Sequence, residues 1–277
     1  MPTVLVEKPR PHIAVIRLNR PERLNAMSIE LCVELKDTLE QVGRDNDCWI
    51  AVLTGAGRAF CSGLDLKDQS MIPNIDGLTI PRIGPRAMRI YSDLIPAMRN
   101  IPQPIIAAIN GPAYGGGMCI TLAADLRIAS ESAVFNSTGI VRGLTSTELG
   151  ASWLLPRLVG AAHASDILYT GRRVDAAEAL RMGLVSRVVP EDKVLDCAFE
   201  MAEEMCQYSP YGLQMTKQVI WANLETASLA AAIELEDRNQ IMLGMTDNLP
   251  EAISAYEEKR KPVYTDEPRR GVHSNKT

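Results

Sequence analysis

Short apolar runs alternate with amphipathic segments through the first half of the chain. His12–Leu18, Trp49–Thr54 and Pro104–Asn110 have strand length and carry few polar residues, which is typical of strands covered on both faces. From Ser28 to Gly43 the apolar residues recur at helical spacing, and Ser28 is a suitable N-cap. Leu126–Ala129 is a further strand candidate. This order predicts an α/β sheet with crossover connections.

Two stretches depart from this alternation. Residues 67–85 contain several prolines and glycines, and they predict a long functional or mobile loop followed by one helix over 86–100. After Glu148 the pattern is almost wholly helical, and Asp175–Glu178 is a capping box. Helical periodicity then recurs at 192–208, 210–222, 228–243 and 249–260.

The pattern divides the chain into three parts. We expect an α/β core over residues 1–200, a helical region over 201–265, and a polar tail over 266–277 that frays. A chain of 277 residues, 46% of them hydrophobic, is long enough to bury one sizeable core with such an appended region.

Composition excludes several classes of function. Lysine and arginine number 29 against 34 acidic residues, and the net charge of -5 disfavours nucleic-acid binding. The six cysteines show no CxxC spacing, so we expect free buried thiols in a reducing compartment and no metal site. No apolar run reaches the roughly 18 residues that span a bilayer, and the N-terminus lacks a signal-peptide core. We therefore expect a cytoplasmic protein without a membrane partner.

Three consecutive glycines, Gly115–Gly117, stand between apolar segments, where a flexible linker is out of place. They predict a turn from a strand into a helix, whose first N–H groups can stabilise negative charge on a bound oxygen. A second glycine turn, Ala59–Lys67, also follows a buried strand. Two N–H groups that converge from these turns would polarise a carbonyl held between them. The alternative is that both turns are purely structural.

Motifs along nearly the whole chain resemble the enoyl-CoA hydratase/isomerase (crotonase) superfamily. They occur in the family's order and at its intervals. They are Leu18–Pro21 with Asn25–Ala26, Phe60–Leu66, Ala113–Gly117 with Ala124–Asp125, Leu168–Arg172 with Ala179–Val185, and Tyr256–Pro262.

The resemblance implies a spiral of repeated β-β-α units with a helical C-terminal region, assembled as a trimer or a pair of trimers. It implies that the backbone N–H groups of Leu64 and Gly116 hold the thioester oxygen of an acyl-CoA. No cofactor is implied beyond the coenzyme A of the substrate. The implied contacts of coenzyme A are Arg23, Leu24, Ala26, Ser62, Leu64, Asp65, Leu66 and Gly116, with Tyr256 and Lys259 reaching a neighbouring subunit's ligand.

Several of these positions have plainer interpretations. Arg23 and Lys259 could be solvated surface charges, while Leu24, Ala26 and Leu66 could belong to the core. Residues 67–85 and the helix after them would shape the acyl pocket, so the acyl chain cannot be identified from the sequence.

The catalytic pattern breaks at two positions. Hydratases of this family hold one water between two glutamates, the first two residues after the triglycine and the second in a Phe-Gly-x-Pro-Glu stretch. Here these positions are Cys119 and Gly139. Glycine at the second position resembles the dihydroxynaphthoyl-CoA synthases, where a bound anion replaces the carboxylate.

Glu148 is the candidate replacement for the missing general acid/base, because some relatives carry an extra acidic residue nearby. Its alternative is a glutamate placed at the start of a helix by the dipole, with Thr145 or Ser146 as cap. Cys119 as a nucleophile is a third possibility, against the ordinary reading of a buried thiol. Asp125 is expected to join its helix to the next strand.

Three hypotheses remain. The first is an acyl-CoA enzyme that resembles enoyl-CoA hydratases and stabilises a thioester enolate; its variant is an isomerase or related enzyme that uses Glu148. The second is an acyl-CoA-binding protein without catalysis. The third is RNA binding, seen in one branch of the superfamily and disfavoured here by the net charge.

Overall fold

A computed structural model describes residues 1–266 of the chain. Its main sheet has six strands in the order β1-β2-β3-β4-β6-β9, antiparallel between β1 and β2 and parallel elsewhere. β3 and β4 are buried along their whole length, as their continuous apolar sequence predicts. The strands are β1 (Val4–Arg10), β2 (Ile13–Leu18), β3 (Ile50–Gly55), β4 (Ile105–Ile109), β6 (Leu126–Ser130) and β9 (Arg187–Val189).

A second sheet of three short strands carries the triglycine turn. β5 (Ala113–Tyr114) pairs in parallel with β7 (Val134–Asn136), which pairs antiparallel with β8 (Arg173–Asp175). Strand, strand and helix therefore recur along the chain, as β1-β2-α1, β4-β5-α4 and β6-β7-α5. The predicted α/β architecture of repeated β-β-α units is confirmed.

The ten α-helices described over residues 1–266 begin and end as follows. They are α1 (Ile29–Gly43), α2 (Ile80–Ser92), α3 (Leu94–Asn100), α4 (Gly116–Ala123), α5 (Ala151–Thr170), α6 (Ala176–Arg181), α7 (Val194–Met205), α8 (Pro210–Asn223), α9 (Leu229–Gly244) and α10 (Asn248–Glu257). Short 3-10 turns lie at Pro21–Arg23, Ile140–Arg142 and Glu191–Lys193.

The predicted caps and connections near the core are largely confirmed. Ser28 Oγ accepts a hydrogen bond from Leu31 N at 3.2 Å and so caps α1. Asp125 Oδ2 accepts from Ile105 N at 2.7 Å, which ties the end of α4 to β4. Asp175 caps α6 through Glu178 N, but the Glu178 carboxylate pairs with Arg172 rather than closing a capping box.

The predicted loop and helix over 67–100 were wrong at their boundary. Helix α2 begins at Ile80 and takes in Pro81, Gly84 and Pro85, and Asp93 separates it from α3. Pro81 lies in the first turn, where its missing N–H costs nothing. The strands β1, β5, β7, β8 and β9 were not predicted. Only one residue of β1 is fully buried, so an edge strand of this kind shows no apolar run.

The chain forms two compact units, residues 1–200 and the part from Met201 onward. In the second unit, Asn248 Nδ2 donates to Ser209 Oγ and to Thr265 O, and Thr265 N returns a hydrogen bond to Asn248 Oδ1. These bonds fasten the start of α10 to the chain on both sides of it. Most of the predicted 266–277 tail lies outside the described residues. Within 1–266, no helix has the length and apolarity that crossing a membrane requires.

Candidate active site

In the 61–66 loop the backbone N–H of Leu64 is free. A parallel bridge joins this loop to Met27, with Met27 N donating to Gly63 O at 2.8 Å and Asp65 N donating to Met27 O at 3.1 Å. Because successive residues of an extended segment face opposite sides, Leu64 N–H points away from this bridge. It donates to no protein acceptor among residues 1–266.

The triglycine is the turn from β5 into α4. Gly115 has φ +51, and its N–H donates to Asn136 O at 2.8 Å. Gly116 is the first residue of α4, so its N–H belongs to the unpaired positive end of the helix, and it meets no protein acceptor in the described chain. A Cβ on Gly116 would lie 2.6 Å from Met27 Sδ, so a side chain there would have to displace the methionine.

The two glycine turns pack directly against each other. A Cβ on Gly63 would lie 2.7 Å from Tyr114 O, and one on Gly117 would lie 2.2 Å from Cys61 O. Cys61 also bridges Ala113, with Tyr114 N donating to Cys61 O at 2.9 Å. These contacts bring the free N–H groups of Leu64 and Gly116 into one region of the molecule.

Glu148 places a carboxylate beside this region. Its Oε1 lies 3.4 Å from the position that a Cβ on Gly115 would take. The side chain is half-buried, and the carboxylate has neither a cation nor a hydrogen-bond donor from residues 1–266. Burial raises the pKa of Glu148 above its ordinary value. A half-buried, unpaired carboxylate is a costly arrangement, and such arrangements cluster at functional sites.

The alternative position for Glu148, inside the first turn of a helix, is not what the structure shows. Helix α5 begins at Ala151 and has Gly150, with φ +79, as its N-cap. Glu148 precedes the cap, and its carbonyl accepts from Ala151 N at 2.8 Å. Ser146 does not cap α5 either, because its Oγ accepts from Ile140 N at 3.1 Å.

Cys119 is buried next to the backbone of Glu148. It is 3% exposed, and its Sγ donates to the backbone oxygen of Glu148 at 3.5 Å. Burial, reinforced by the charge of Glu148, raises the pKa of the Cys119 thiol far above its ordinary value. The thiolate needed for nucleophilic attack is therefore suppressed. This environment favours the interpretation of Cys119 as an inert buried thiol.

Gly139 cannot be exchanged for a glutamate in this backbone. A Cβ there would lie 1.9 Å from Thr145 O. The loop from Ser137 to Ser146 is closed upon itself, since Leu144 N donates to Gly139 O at 2.9 Å and Ser137 Oγ donates to Ser146 O at 3.3 Å. The space of a second carboxylate is thus filled by backbone.

Thr138 was missed by the sequence analysis. Its Oγ1 lies 2.6 Å from the position of a Cβ on Gly115, the same point that Glu148 Oε1 approaches to 3.4 Å. The residue is half-buried, and its hydroxyl makes no hydrogen bond within residues 1–266. The one available signal was its place in the Phe-Gly-x-Pro-Glu stretch, where it stands in the position of the proline.

Two arginines form an ion cluster with Asp65, one of the candidate coenzyme A residues. Its carboxylate is buried, and it accepts hydrogen bonds from Arg20 at 2.9 Å and from Arg23 at 2.5 Å. Burial alone would raise the pKa of Asp65, but the hydrogen bonds from Arg23, from Lys67 N and from Arg20 together lower it. Arg20, which the sequence analysis did not select, therefore fixes the loop together with Arg23.

The remaining candidates differ in exposure. Leu66 is 76% exposed and Leu64 is 49% exposed, so these apolar side chains face outward rather than into the core. Ala26 is buried, whereas Leu24 and Ser62 are half-buried, and Ser62 N donates to Leu24 O at 3.0 Å. In the second unit, Tyr256 is 86% exposed and Lys259 is exposed with φ +56.

Metal-ligating clusters are absent from the described residues, where no three histidine, cysteine, aspartate or glutamate side chains could share an ion. All six cysteines are free thiols, and only Cys206 is not buried.

Comparisons with known proteins agree on one family. A family model described as enoyl-CoA hydratase/isomerase matches residues 9–267. A probable enoyl-CoA hydratase of Mycobacterium bovis is 48% identical over 265 residues, which cover 95% of this chain and 93% of the relative. A solved structure of a probable enoyl-CoA hydratase/isomerase from Mycobacterium abscessus has a TM-score of 0.92 at 45% identity, covering 97% of this chain and 100% of that one. A monofunctional enoyl-CoA isomerase from M. smegmatis has a TM-score of 0.72 at 42% identity, covering 84% and 99% respectively.

Proposed function

Because this chain belongs to the enoyl-CoA hydratase/isomerase family, we propose that it forms an enolate of an acyl-CoA thioester and moves a proton with a single carboxylate. The reaction that this arrangement supports best is isomerisation of a 3-enoyl-CoA to a 2-enoyl-CoA. The observation that carries the proposal is the unpaired, half-buried carboxylate of Glu148 beside Gly115. The solved isomerase from M. smegmatis, at 42% identity, also supports it.

The thioester oxygen would lie between the N–H groups of Leu64 and Gly116. Glu148 removes a proton from C2, and the electron pair moves through the carbonyl to give a dienolate whose oxygen accepts from both N–H groups. The protonated Glu148 then returns the proton at C4, and the double bond settles between C2 and C3. No water and no redox partner enters this reaction. One carboxylate that can face both carbons is sufficient.

Hydration by the two-glutamate mechanism needs a second carboxylate that this site lacks. Cys119 is buried with a suppressed thiolate, and the backbone of Thr145 fills the space beside Gly139. The name of the M. bovis relative nevertheless keeps enoyl-CoA hydratase as the second candidate function. A hydratase of this sequence would depend on groups other than the usual glutamate pair.

The proposal is tested by supplying 3-hexenoyl-CoA and following the rise in ultraviolet absorbance of the conjugated thioester. Glu148→Gln keeps the shape of the side chain and removes the base, so we expect roughly a 1000-fold loss of kcat. Glu131→Gln, at an exposed carboxylate in the turn between β6 and β7, serves as the matched control. Full turnover in Glu148→Gln would refute the assignment of the base.

The same protein samples distinguish an enzyme from a binding protein without catalysis. For a binding protein, calorimetry with saturated and unsaturated acyl-CoAs would show binding, while no member of a broad acyl-CoA panel is turned over. We expect turnover, because a binder has no need to keep an unpaired carboxylate next to the thioester site.

We also propose where coenzyme A is bound and how the subunits assemble. Coenzyme A would run past the Asp65 cluster and the exposed Leu66, with Arg23, Leu24, Ala26 and Ser62 nearby, and no further cofactor is needed. Tyr256 and Lys259 would contact the ligand of a neighbouring subunit.

The unit from residue 201 would hold subunits together as a trimer or a pair of trimers, in the cytoplasm. The apolar side chains exposed on α9 and α10 support this assembly.

A further inference from the structure

Glu148 lies in a loop, and the backbone of that loop decides where its carboxylate is placed. The carboxylate accepts no hydrogen bond within residues 1–266, so no protein donor holds the end of the side chain. The Glu148 carbonyl, by contrast, accepts from Ala151 N at 2.8 Å and from Cys119 Sγ at 3.5 Å. The position of the proposed base therefore depends on contacts made by its backbone and its neighbours.

The Cys119 thiol joins this loop to the helix that carries the triglycine. Cys119 lies in the first turn of α4, where its N–H donates to Gly115 O at 3.1 Å, while its Sγ donates to Glu148 O. Burial raises the pKa of the thiol far above its ordinary value, so the sulfur keeps the proton that this hydrogen bond requires. One residue thus connects the backbone of the proposed thioester site with the backbone that carries the base.

Leu149 connects the same loop to Gly116 through its side chain. Its backbone is left-handed, with φ +44, and Gly150 follows with φ +79. A leucine rarely adopts this conformation, and such residues persist where the surrounding structure holds them. Leu149 is 9% exposed, and its Cδ2 lies 3.7 Å from the position that a Cβ on Gly116 would take. Burial of the side chain over the Gly116 turn therefore offsets the strain of the backbone.

We propose that Cys119 and Leu149 are positioning residues for the proton transfer and that they act through Glu148. The thiol holds the Glu148 carbonyl against α4, and the leucine holds the left-handed turn that brings the carboxylate to the triglycine. This inference rests on the proposed function. It gives Cys119 a role that needs no thiolate, because the residue in the position of the first glutamate fixes the carboxylate proposed to replace it.

The proposed reaction requires this precision because one carboxylate serves two carbons. Glu148 takes a proton from C2 and returns it at C4, and the proton stays on the carboxylate in between. A fixed, half-buried carboxylate returns the same proton, whereas one that swings towards water exchanges it with solvent. A displacement of about 1 Å can also lower a rate about 100-fold. Loss of positioning should therefore appear as a fall in kcat, an unchanged KM, and more solvent hydrogen in the product.

Substitutions at Cys119 test the hydrogen bond, with 3-hexenoyl-CoA as substrate in deuterium oxide. Cys119→Ala loses the donor, so we expect kcat to fall about tenfold or more, KM to stay within about twofold, and deuterium at C4 to rise. Cys119→Ser keeps a donor and should restore both kcat and the deuterium content.

Cys48→Ala is the matched control for the loss of a buried thiol. Cys48 is 5% exposed, and its Sγ donates to Ile50 O at 3.4 Å. It lies just before β3, whereas the 61–66 loop follows the end of that strand. We expect wild-type kcat and deuterium content in this variant.

Substitutions at Leu149 separate the side chain from the backbone. Leu149→Gly relieves the left-handed strain but removes the contact over Gly116, whereas Leu149→Met keeps an apolar side chain there. We expect Leu149→Gly to lose about fivefold or more in kcat and to incorporate more deuterium, and Leu149→Met to stay close to the wild type.

Two further measurements show whether these residues act through Glu148. In the Glu148→Gln background, Cys119→Ala should lower the residual turnover no further, because the group that it positions is gone. Carbon-13 NMR of labelled glutamate carboxyls follows the titration of Glu148, whose signal is the one missing in Glu148→Gln. The Cys119 thiol, the titratable group that faces it, keeps its proton. We therefore expect the raised pKa of Glu148 to fall in Cys119→Ala and to return in Cys119→Ser.

Two results would overturn the inference. One is a Cys119→Ala protein that matches Cys48→Ala in kcat and deuterium content, and the other is wild-type turnover in Leu149→Gly. If the wild type isomerises no 3-enoyl-CoA, the proposed function fails and the NMR titration decides the inference. A Glu148 pKa that falls in Cys119→Ala and returns in Cys119→Ser then supports the positioning, and an unchanged pKa overturns it.

Discussion

At the residue scale, this site differs from the two-glutamate pattern because Cys119 and Gly139 stand in the positions of the two glutamates. A buried thiol occupies the first position, and the backbone of Thr145 fills the space beside the second. In the proposed mechanism the acid/base is Glu148, whose carboxylate approaches the turn from the loop before α5. Because this carboxylate is half-buried without a partner, its raised pKa should determine how the proposed activity depends on pH.

The pH dependence of turnover reports on Glu148. The carboxylate must be ionised to remove the C2 proton, and burial raises its pKa. We expect kcat/KM to fall on acidification at a pH above the ordinary titration range of glutamate. A pH–rate profile from pH 4 to 8 measures this, and a profile without an acidic limb in that range would contradict it.

The same burial means that the ionised Glu148 carboxylate destabilises the fold. Its pKa is raised in the folded state, so the fold binds the proton more tightly than the unfolded chain does, and stability falls as pH rises between the ordinary and the raised pKa. We expect Glu148→Gln to unfold at a higher temperature than the wild type at pH 7.5, and the difference to shrink towards pH 4. Scanning calorimetry at both pH values checks this, and a less stable variant at pH 7.5 would refute it.

At the scale of elements, the active-site loops depend on close backbone contacts and one ion cluster. Gly139→Glu would be the direct attempt to restore the missing carboxylate. Since its Cβ would overlap Thr145 O, we expect a loss of more than about 3 kcal/mol in the free energy of unfolding. Gly84→Ala is the control, because a Cβ there meets nothing within 4 Å and alanine favours the helix. Denaturant titration measures both, and a folded, equally stable Gly139→Glu would disprove the contact.

The Asp65 cluster is the second such support. Asp65→Asn keeps the shape but removes the charge that Arg20 and Arg23 share, so we expect a loss of about 2–3 kcal/mol. Because the pKa of Asp65 is lowered, the contribution of the charge is present above the ordinary pKa and is lost as pH falls through the lowered one. Glu40→Gln, in an exposed pair with Arg44, should cost under about 0.5 kcal/mol. Equal effects of the two substitutions would argue against the cluster.

At the scale of the whole molecule, the unit from Met201 exposes apolar side chains along its last helices. Ile241 is 61% exposed and Met245 is 70% exposed, and Leu249 and Ile253 are exposed on α10, which packs against α9. Large apolar side chains exposed on neighbouring helices are typical of interaction surfaces. They support the proposed role of this unit in assembly.

Assembly is tested by a charge on that surface. We expect Ile241→Glu to shift the protein to a smaller species in light scattering, because an unpaired carboxylate would be buried at the interface. Asp237→Lys, at an exposed polar position of the same helix, should leave the mass unchanged. An Ile241→Glu protein of wild-type mass would exclude this surface from the interface.

The sequence alone determined the ligand class and most of the elements. Continuous apolar runs predicted β2, β3, β4 and β6, since buried strands carry their signal locally. The triglycine and the 61–66 loop indicated where a carbonyl would be polarised, because their spacing and glycine content are local as well, and the family resemblance implied that this carbonyl belongs to a thioester. The edge strand β1 and the start of α2 were not predicted, since an exposed strand and a proline-containing helix carry no clear local pattern.

Only the tertiary structure decided how the candidate catalytic groups meet. Glu148 was one candidate among several in sequence, and its carboxylate reaches Gly115 because the loop before α5 folds back over the turn. Thr138 gave no signal in sequence beyond its place in the Phe135–Gly139 stretch, and in the structure its hydroxyl lies 2.6 Å from the Gly115 Cβ position that Glu148 also approaches. Such convergence arises from contacts between residues far apart in the chain, and no periodicity or spacing encodes it.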